Sequence, residues 1–405
     1  MLKVAIVGAG LAGLTAAREL GQIDGAVFEQ YSRAGGRIYT NAQNGIYYDL
    51  GALFAYDPKR LPFETPLTPL IREDDAIGLL SNGLVHRGRS IDECLASLPD
   101  NTVNANFLAS LIFTETLAYS SEQVRSLANS LFTVIHSAEI TQYAPSIQMN
   151  AICRFSPSHY LKGNGQAVDS LLADLRLPVN YGCTLEWVEE RNDRVSLTFN
   201  KRGQLVQLEC EYLLLATTAD KARELLPAIA IEHCEPTRLA RYGSFTVVVI
   251  AMSPPVLKEY SYVITKDGPM NSMFKQKVPN HNVSLLIAYY GDRDWTRTSA
   301  LGNTQLYREV LASAKQIDEN VANSTVLFTD LHRWRVGGTI ISSDLLSACA
   351  TQPSLRVSNR IFVAGDYLDH EHPYGMAAAA RSGVRAGREV AATIATSRQE
   401  SRCGH

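Results

Sequence analysis

An apolar run from Lys3 to Val7 leads into Gly8-Ala9-Gly10-Leu11-Ala12-Gly13 and then a helical stretch, Leu14 to Leu20, that Gly21 is placed to stop. A second apolar segment, Ala26-Val27-Phe28, ends in Glu29, so the chain opens as strand, glycine turn, helix, strand. Pro58, Pro62, Pro66 and Pro69 then interrupt any continuing sheet. Between Asn104 and Ser137 the residues Leu108, Leu111, Ile112, Leu117, Val124, Leu127, Leu131 and Val134 recur at helical spacing and predict a helical subdomain. Strand patterns return at Val179 to Tyr181, Val195 to Phe199, Leu205 to Leu208 and Tyr212 to Leu215. A second excursion, roughly Asp220 to Leu331, holds strand patterns at Phe245 to Met252 and Val283 to Tyr290 and a helical one at Thr304 to Ile317. Arg360 to Ala364 reads as a buried strand that passes through Gly365-Asp366 toward an Ala-rich helix, Met376 to Ile394, and the polar tail from Ser397 reads as frayed.

At 405 residues the chain exceeds one ordinary core, which predicts two interwoven domains or one domain with a large insertion. A net charge of −3 with no basic stretch argues against a nucleic-acid partner. The seven cysteines are scattered and never form C-x-x-C, which predicts neither a metal site nor a disulfide framework and points to a reducing, cytoplasmic setting. No apolar run reaches the ~18 residues of a membrane span, so no membrane anchor is expected.

Gly8, Gly10 and Gly13, followed at the right interval by Glu29, match the dinucleotide fingerprint. The glycines give a tight turn and close approach to a pyrophosphate at a helix N-terminus, and the acid accepts ribose hydroxyls. That pattern does not separate NAD from FAD. The next segments do: Arg33-Ala34-Gly35-Gly36-Arg37-Ile38-Tyr39-Thr40 and Tyr48-Asp49-Leu50-Gly51-Ala52 resemble the flavin-dependent amine oxidase superfamily, which includes monoamine and polyamine oxidases, protoporphyrinogen oxidases and phytoene-desaturase-like enzymes. Lys162-Gly163-Asn164-Gly165, Leu185 to Val188, Phe362 to Asp366 and Gly375 to Gly383 are similar to further motifs of that superfamily, in its chain order.

The resemblance implies an α/β fold in which a Rossmann-like FAD-binding domain (1–60, 160–219 and 332–398) is interleaved with an α+β substrate-binding domain (61–159 and 220–331). It implies that FAD is held by Gly8, Gly10, Ala12, Gly13, Glu29, Gln30, Gly35, Gly36, Arg37, Gly51, Ala52, Leu185, Gly365, Asp366, Gly375, Met376 and Ala379. Arg37 is expected near the diphosphate, Asp366 near the ribityl and phosphate region, and the amides of Gly375 and Met376 near the flavin pyrimidine ring.

The substrate-facing half departs from the superfamily pattern. Thr246 or Val247 stands where many relatives carry a lysine; Lys275 or Lys277 could reach the site from elsewhere, but each reads first as an exposed loop residue. Of the two tyrosines that flank flavin in monoamine oxidases, one position is matched by Gly375, with Tyr374 just before it. Trp334 matches a tryptophan near the flavin edge; Tyr374 and Trp334 are the candidate catalytic residues. His370, Glu371 and His372 form a polar cluster that reads as a solvated loop rather than a base or a metal site. No cysteine follows Trp334 closely, since Cys349 comes well after it, so FAD is expected to be noncovalent.

The expected activity is oxidation of a C–N bond in a small organic amine, with oxygen or another electron acceptor. Homodimerisation is compatible with that reading and not required by it. A desaturase acting on a ring or polyene is the near alternative, favoured by the missing lysine. A non-catalytic protein similar to the Rab GDP-dissociation inhibitors is the distant one, and the intact nucleotide motif argues against it.

Overall fold

The computed structural model describes residues 1–54, 67–69, 75–99, 103–134, 136–153, 158–160, 162–226, 232, 234–352, 354–369 and 375–403. The segments expected around Pro58, Pro62 and Pro66, and the candidate residues His370, Glu371, His372 and Tyr374, lie outside the described residues.

The chain opens as β1 (Leu2–Val7), α1 (Leu11–Leu20) and β2 (Gly25–Glu29), with β1 and β2 parallel in the register Val4 to Gly25 and Val7 to Phe28. Parallel strands buried on both faces read as continuous apolar runs, which is how these were legible. The first sheet runs Cys183–Glu190, Val195–Lys201, Gln204–Leu215, β1, β2 and Val179–Tyr181, with Ile361–Val363 parallel beside Gln204–Leu215.

The stretches Leu205 to Leu208 and Tyr212 to Leu215, expected as separate strands, are one strand. Glu209 and Glu211 do not interrupt it because Arg194 lies 3.0 Å from the Glu209 carboxylate and Lys3 pairs with Glu211. At its start this strand pairs antiparallel with Val195–Lys201, and from Cys210 onward it runs parallel to β1.

The second sheet takes its middle from β3 (Arg241–Ser253), flanked by β4 (Thr325–Ile340) and Ser284–Tyr290, and continues through Ser272–Lys277, Tyr260–Thr265, Ala76–Ser81 and Leu84–Gly88. Successive β3 side chains alternate between two cores, as a period of two residues requires. Phe245, Val247, Val249 and Ala251 join the large core shared with the first sheet. Val248, Ile250 and Met252 pack with Leu306, Val310 and Ala314 of the helix Asn303–Ile317.

The expected helical subdomain is present as Ala105–Phe113, Leu117–Tyr119 and Glu122–Phe132; the Phe107 N–H donates to Asn104 Oδ1 at 2.8 Å and caps the first of these. Two boundaries differ from expectation. The chain was expected to leave the second domain at residue 332, yet β4 stays in the second sheet as far as Ile340. The final helix, α2 (Gly375–Cys403), extends through most of the tail read as frayed, where Tyr212 OH lies 3.0 Å from Ser397 Oγ.

Candidate active site

A cavity of about 560 Å³ lies where the C-terminal ends of β1 and β2 meet β4 and the start of α2. Its first end is built by the opening motif. Gly8 sits at φ 105°, and a Cβ there would lie 2.5 Å from the Ala216 carbonyl oxygen, so the turn is open only to glycine. Gly13 does not line the cavity; a Cβ on it would overlap the Gly8 carbonyl, so its part is to let α1 close against the turn. The α1 N-terminus has no side-chain cap and no acid in its first turn, which leaves backbone N–H groups and positive potential at the cavity.

The Glu29 carboxylate is buried and held from both sides, accepting from Ala9 N–H at 2.8 Å and Tyr31 N–H at 2.9 Å. Both oxygens keep acceptor capacity for a further ligand.

Gly35 and Gly36 meet this turn through the Gly35 N–H, which donates to the Ala9 carbonyl at 2.8 Å. Arg33 braces the loop from behind by donating to the carbonyls of Ala34, Gly36 and Ile38. Arg37 then reaches across the two sheets: its guanidinium donates to Gly337 O at 2.7 Å and pairs with Asp366 at 2.6 Å. The sequence set both residues near the cofactor phosphates but did not reveal that they pair with each other. Burial would lower the Arg37 pKa, but Asp366 and Tyr242 outweigh it and leave the guanidinium more firmly protonated. Asp366 also accepts from Thr339 Oγ1 at 2.7 Å.

Gly10, Ala12, Gln30, Gly51, Ala52, Leu185, Gly365, Met376 and Ala379 also line the cavity. So does Gly375, at φ 69° with open space where a Cβ would be.

The second end is aromatic. Trp334 lines it and anchors it, donating Nε1–H to the Leu50 carbonyl at 2.7 Å. Phe54, Phe245, Tyr289 and His332 complete that wall, and none of them was singled out from the sequence. Strand alternation could have found all but Phe54, because Phe245 lies directly opposite Trp334 and Val247 directly opposite both His332 and Tyr289, and facing residues of an antiparallel pair share a side. The His332 ring lies 4.4 Å from Trp334 and 5.3 Å edge-on to Tyr39. Burial first, and then the charge of Arg33, lowers its pKa against a smaller opposing effect of Asp330.

The expectation that Lys275 sits in an exposed loop is corrected. It is a buried strand residue bound to Asp75 at 3.1 Å and to the Lys258 carbonyl, because Tyr260–Thr265 pairs on one side with its strand and on the other with Ala76–Ser81, which Asp75 immediately precedes. Lys277 is half exposed and faces the same Asp75.

Comparison with known proteins decides the family. The profile described as flavin containing amine oxidoreductase matches residues 89–391, and that of an NAD(P)-binding Rossmann-like domain matches residues 6–61. The chain belongs to the flavin-containing amine oxidoreductase family. It is 22% identical to an L-amino-acid oxidase of Siganus canaliculatus, over 96% of this chain and 85% of that protein. Its fold is similar to cyclohexylamine oxidase from Brevibacterium oxydans IH-35A, with TM-score 0.74, 16% identity, and coverage of 97% of this chain and 99% of that one. It is also similar to a putrescine oxidase redesigned in its cofactor binding, with TM-score 0.75, 15% identity, and coverage of 96% and 99%.

The protein is thus an FAD-dependent oxidoreductase acting on a small molecule, and the residues present suit that cofactor. An uncapped helix N-terminus, a buried carboxylate with acceptor capacity to spare and glycine-walled open space are what a dinucleotide requires. Among the described residues no helix is long and apolar enough to cross a membrane.

Proposed function

We propose that the enzyme oxidises the C–N bond of a small organic amine to the imine, using noncovalently bound FAD and passing electrons on to oxygen. The observation that carries this reading is the continuity of one cavity from the Glu29 end to the aromatic wall of Phe54, Phe245, Tyr289 and Trp334. When bound, FAD accepts the two electrons and the hydrogen that leave the substrate carbon.

The chain's own groups do the rest. Glu29 accepts the ribose hydroxyls, and the α1 amides, with Arg37 behind them, counter the diphosphate. Asp366, fixed by Arg37 and Thr339, orients the ribityl region, and the α2 amides at Gly375 and Met376 favour negative charge as it develops. The unit around the first sheet is the cofactor domain and the unit around the second is the substrate domain. Between them the aromatic wall excludes water and aligns the substrate carbon, which is most of what hydride removal from a neutral amine requires. Cys349, the first cysteine after Trp334, is buried outside the cavity lining with its thiol directed to the Tyr367 carbonyl, which supports a noncovalent cofactor.

Val247, buried on the cavity-facing side of β3, favours a second reading as a desaturase of a ring or polyene. Anaerobic addition of cyclohexylamine, putrescine and L-leucine to purified protein separates the two. Bleaching of the flavin band by an amine is expected. A flavin band that only cyclic or polyene substrates bleach would shift the function to desaturation, and a colourless protein that takes up no FAD would overturn both.

A further inference from the structure

An alkylamine has a pKa near that of lysine, about 10.4, so at pH 7 only roughly one molecule in a few thousand carries a free lone pair. An ammonium bound in the aromatic end of the cavity must lose a proton before its carbon can give up hydride. Most of the cavity-lining groups that could receive it are committed elsewhere. Glu29 stands at the opposite, cofactor end of the cavity, while Asp366 is held by Arg37 and Thr339, Lys221 by Glu224, and the Cys183 thiol by the Tyr181 carbonyl. Arg333 points behind the sheet, to Thr298, Leu301 and Asn303.

His332 differs from all of these. Its imidazole lines the cavity between Tyr39 and Trp334 and has ring contacts but no hydrogen bond among the described residues. It stands directly across from Val247, on the same side of the sheet as Phe245 and Trp334.

We propose that His332 is the catalytic base that takes the proton from the substrate ammonium, a role that rests on the amine-oxidising function above. The ammonium N–H bond breaks, an imidazole N–H bond forms, and no electrons change hands. The neutral amine keeps its lone pair to assist hydride departure, and the imidazolium returns its proton to solvent. The charged and titratable groups facing the ring support a free base at neutral pH. Burial and Arg33, stacked 4.3 Å over Tyr39, lower the His332 pKa. Asp330 opposes them but already accepts from Tyr48 OH and Asn41 Nδ2, each at 2.9 Å.

The test uses holoenzyme with ¹⁵N-labelled histidine, the variant His332→Gln, and anaerobic mixing with cyclohexylamine, putrescine and L-leucine across pH 6 to 10. In the wild type the imidazole signal that His332→Gln removes should titrate below the ordinary value of about 6.5 and move when cyclohexylamine binds. In His332→Gln, FAD content should be unchanged while flavin reduction at pH 7 slows about 100-fold or more. The rate should climb back toward the wild type as pH 10 is approached, where the amine deprotonates unaided. A rate lowered equally at every pH would make His332 a packing residue and overturn the proposal, as would an unchanged pH profile, or a profile moved by His372→Gln instead. Should His332→Gln lose FAD, His332→Asn and the wild-type titration remain, and an imidazole indifferent to cyclohexylamine would overturn it. If no amine reduces wild-type flavin at any pH, the amine-oxidising function itself fails; reduction with an unaltered His332→Gln profile fails this assignment alone.

Discussion

The two ends of the cavity are built by different means. The cofactor end is made largely of backbone: turns at Gly8 and Gly36, the uncapped start of α1, and loop carbonyls held by Arg33. The aromatic end is made of side chains brought together by strand register, Phe245 against Trp334 and Val247 against His332. Backbone geometry demands particular residue types within short motifs, whereas a side-chain wall accepts many solutions so long as it is apolar and closed. The first end therefore announces its ligand class, and the second leaves the substrate open.

The largest expected effect breaks the joint between the two ends. Arg37→Ala removes both the Gly337 carbonyl contact and the partner of the buried Asp366. Stranding a buried charge costs about 3–5 kcal/mol, so urea unfolding of the apoprotein should shift by that amount and FAD content should fall steeply. Retained flavin with unchanged stability would show that the cofactor end does not depend on this pair.

Lys275→Met sharpens the comparison from the other side. It leaves the Asp75 carboxylate, 10% exposed, with Lys277 at 4.0 Å as its remaining cationic partner among the described residues. A loss of about 3 kcal/mol with unchanged flavin reduction is expected, because this lysine supports the second sheet. A selective loss of flavin reduction would instead return it to the active site.

Trp334→Phe is smaller. It keeps an aromatic ring but leaves the Leu50 carbonyl without its 2.7 Å donor. Flavin content should hold while kcat falls about tenfold, equivalent to about 1.4 kcal/mol. Unchanged kcat would demote Trp334 to packing.

How much was legible follows the same division. The β1-turn-α1-β2 opening could be read because apolar runs, glycines and Glu29 lie within one short stretch. The Arg37–Asp366 pair could not, since its partners are 329 positions apart and meet in a cluster to which β4 adds Gly337 and Thr339. Lys275 was misread for a related reason: nothing near it in sequence reveals that Asp75 will lie alongside. Phe245 and His332 were within reach, as alternation from Val247 and Trp334 points to both, but which side of each strand faces the cofactor is a tertiary fact.

Asp49 is the finest test, because it belongs to the cofactor end yet acts through the interior rather than at the cavity. It is buried, accepts from the Asn164 N–H at 2.9 Å and from the Thr40 hydroxyl, and Asn164 in turn donates to the Ala52 carbonyl at 2.6 Å beside the cavity. Burial raises its pKa from 3.8 to about 7, against the lowering effect of those two donors. A carboxyl whose folded pKa lies above its unfolded value contributes stability in full below the unfolded pKa and loses it as pH rises through the folded one. Wild-type Tm should therefore decline between about pH 4 and 7 on this account. Asp49→Asn keeps a carbonyl acceptor for the Asn164 N–H and cannot ionise, so its Tm should fall less steeply and gain on the wild type toward pH 8. Parallel Tm profiles would mean that Asp49 stays ionised throughout. The Asn164 and Thr40 donors would then outweigh burial, and the interior of the cofactor end would be as polar as its cavity face.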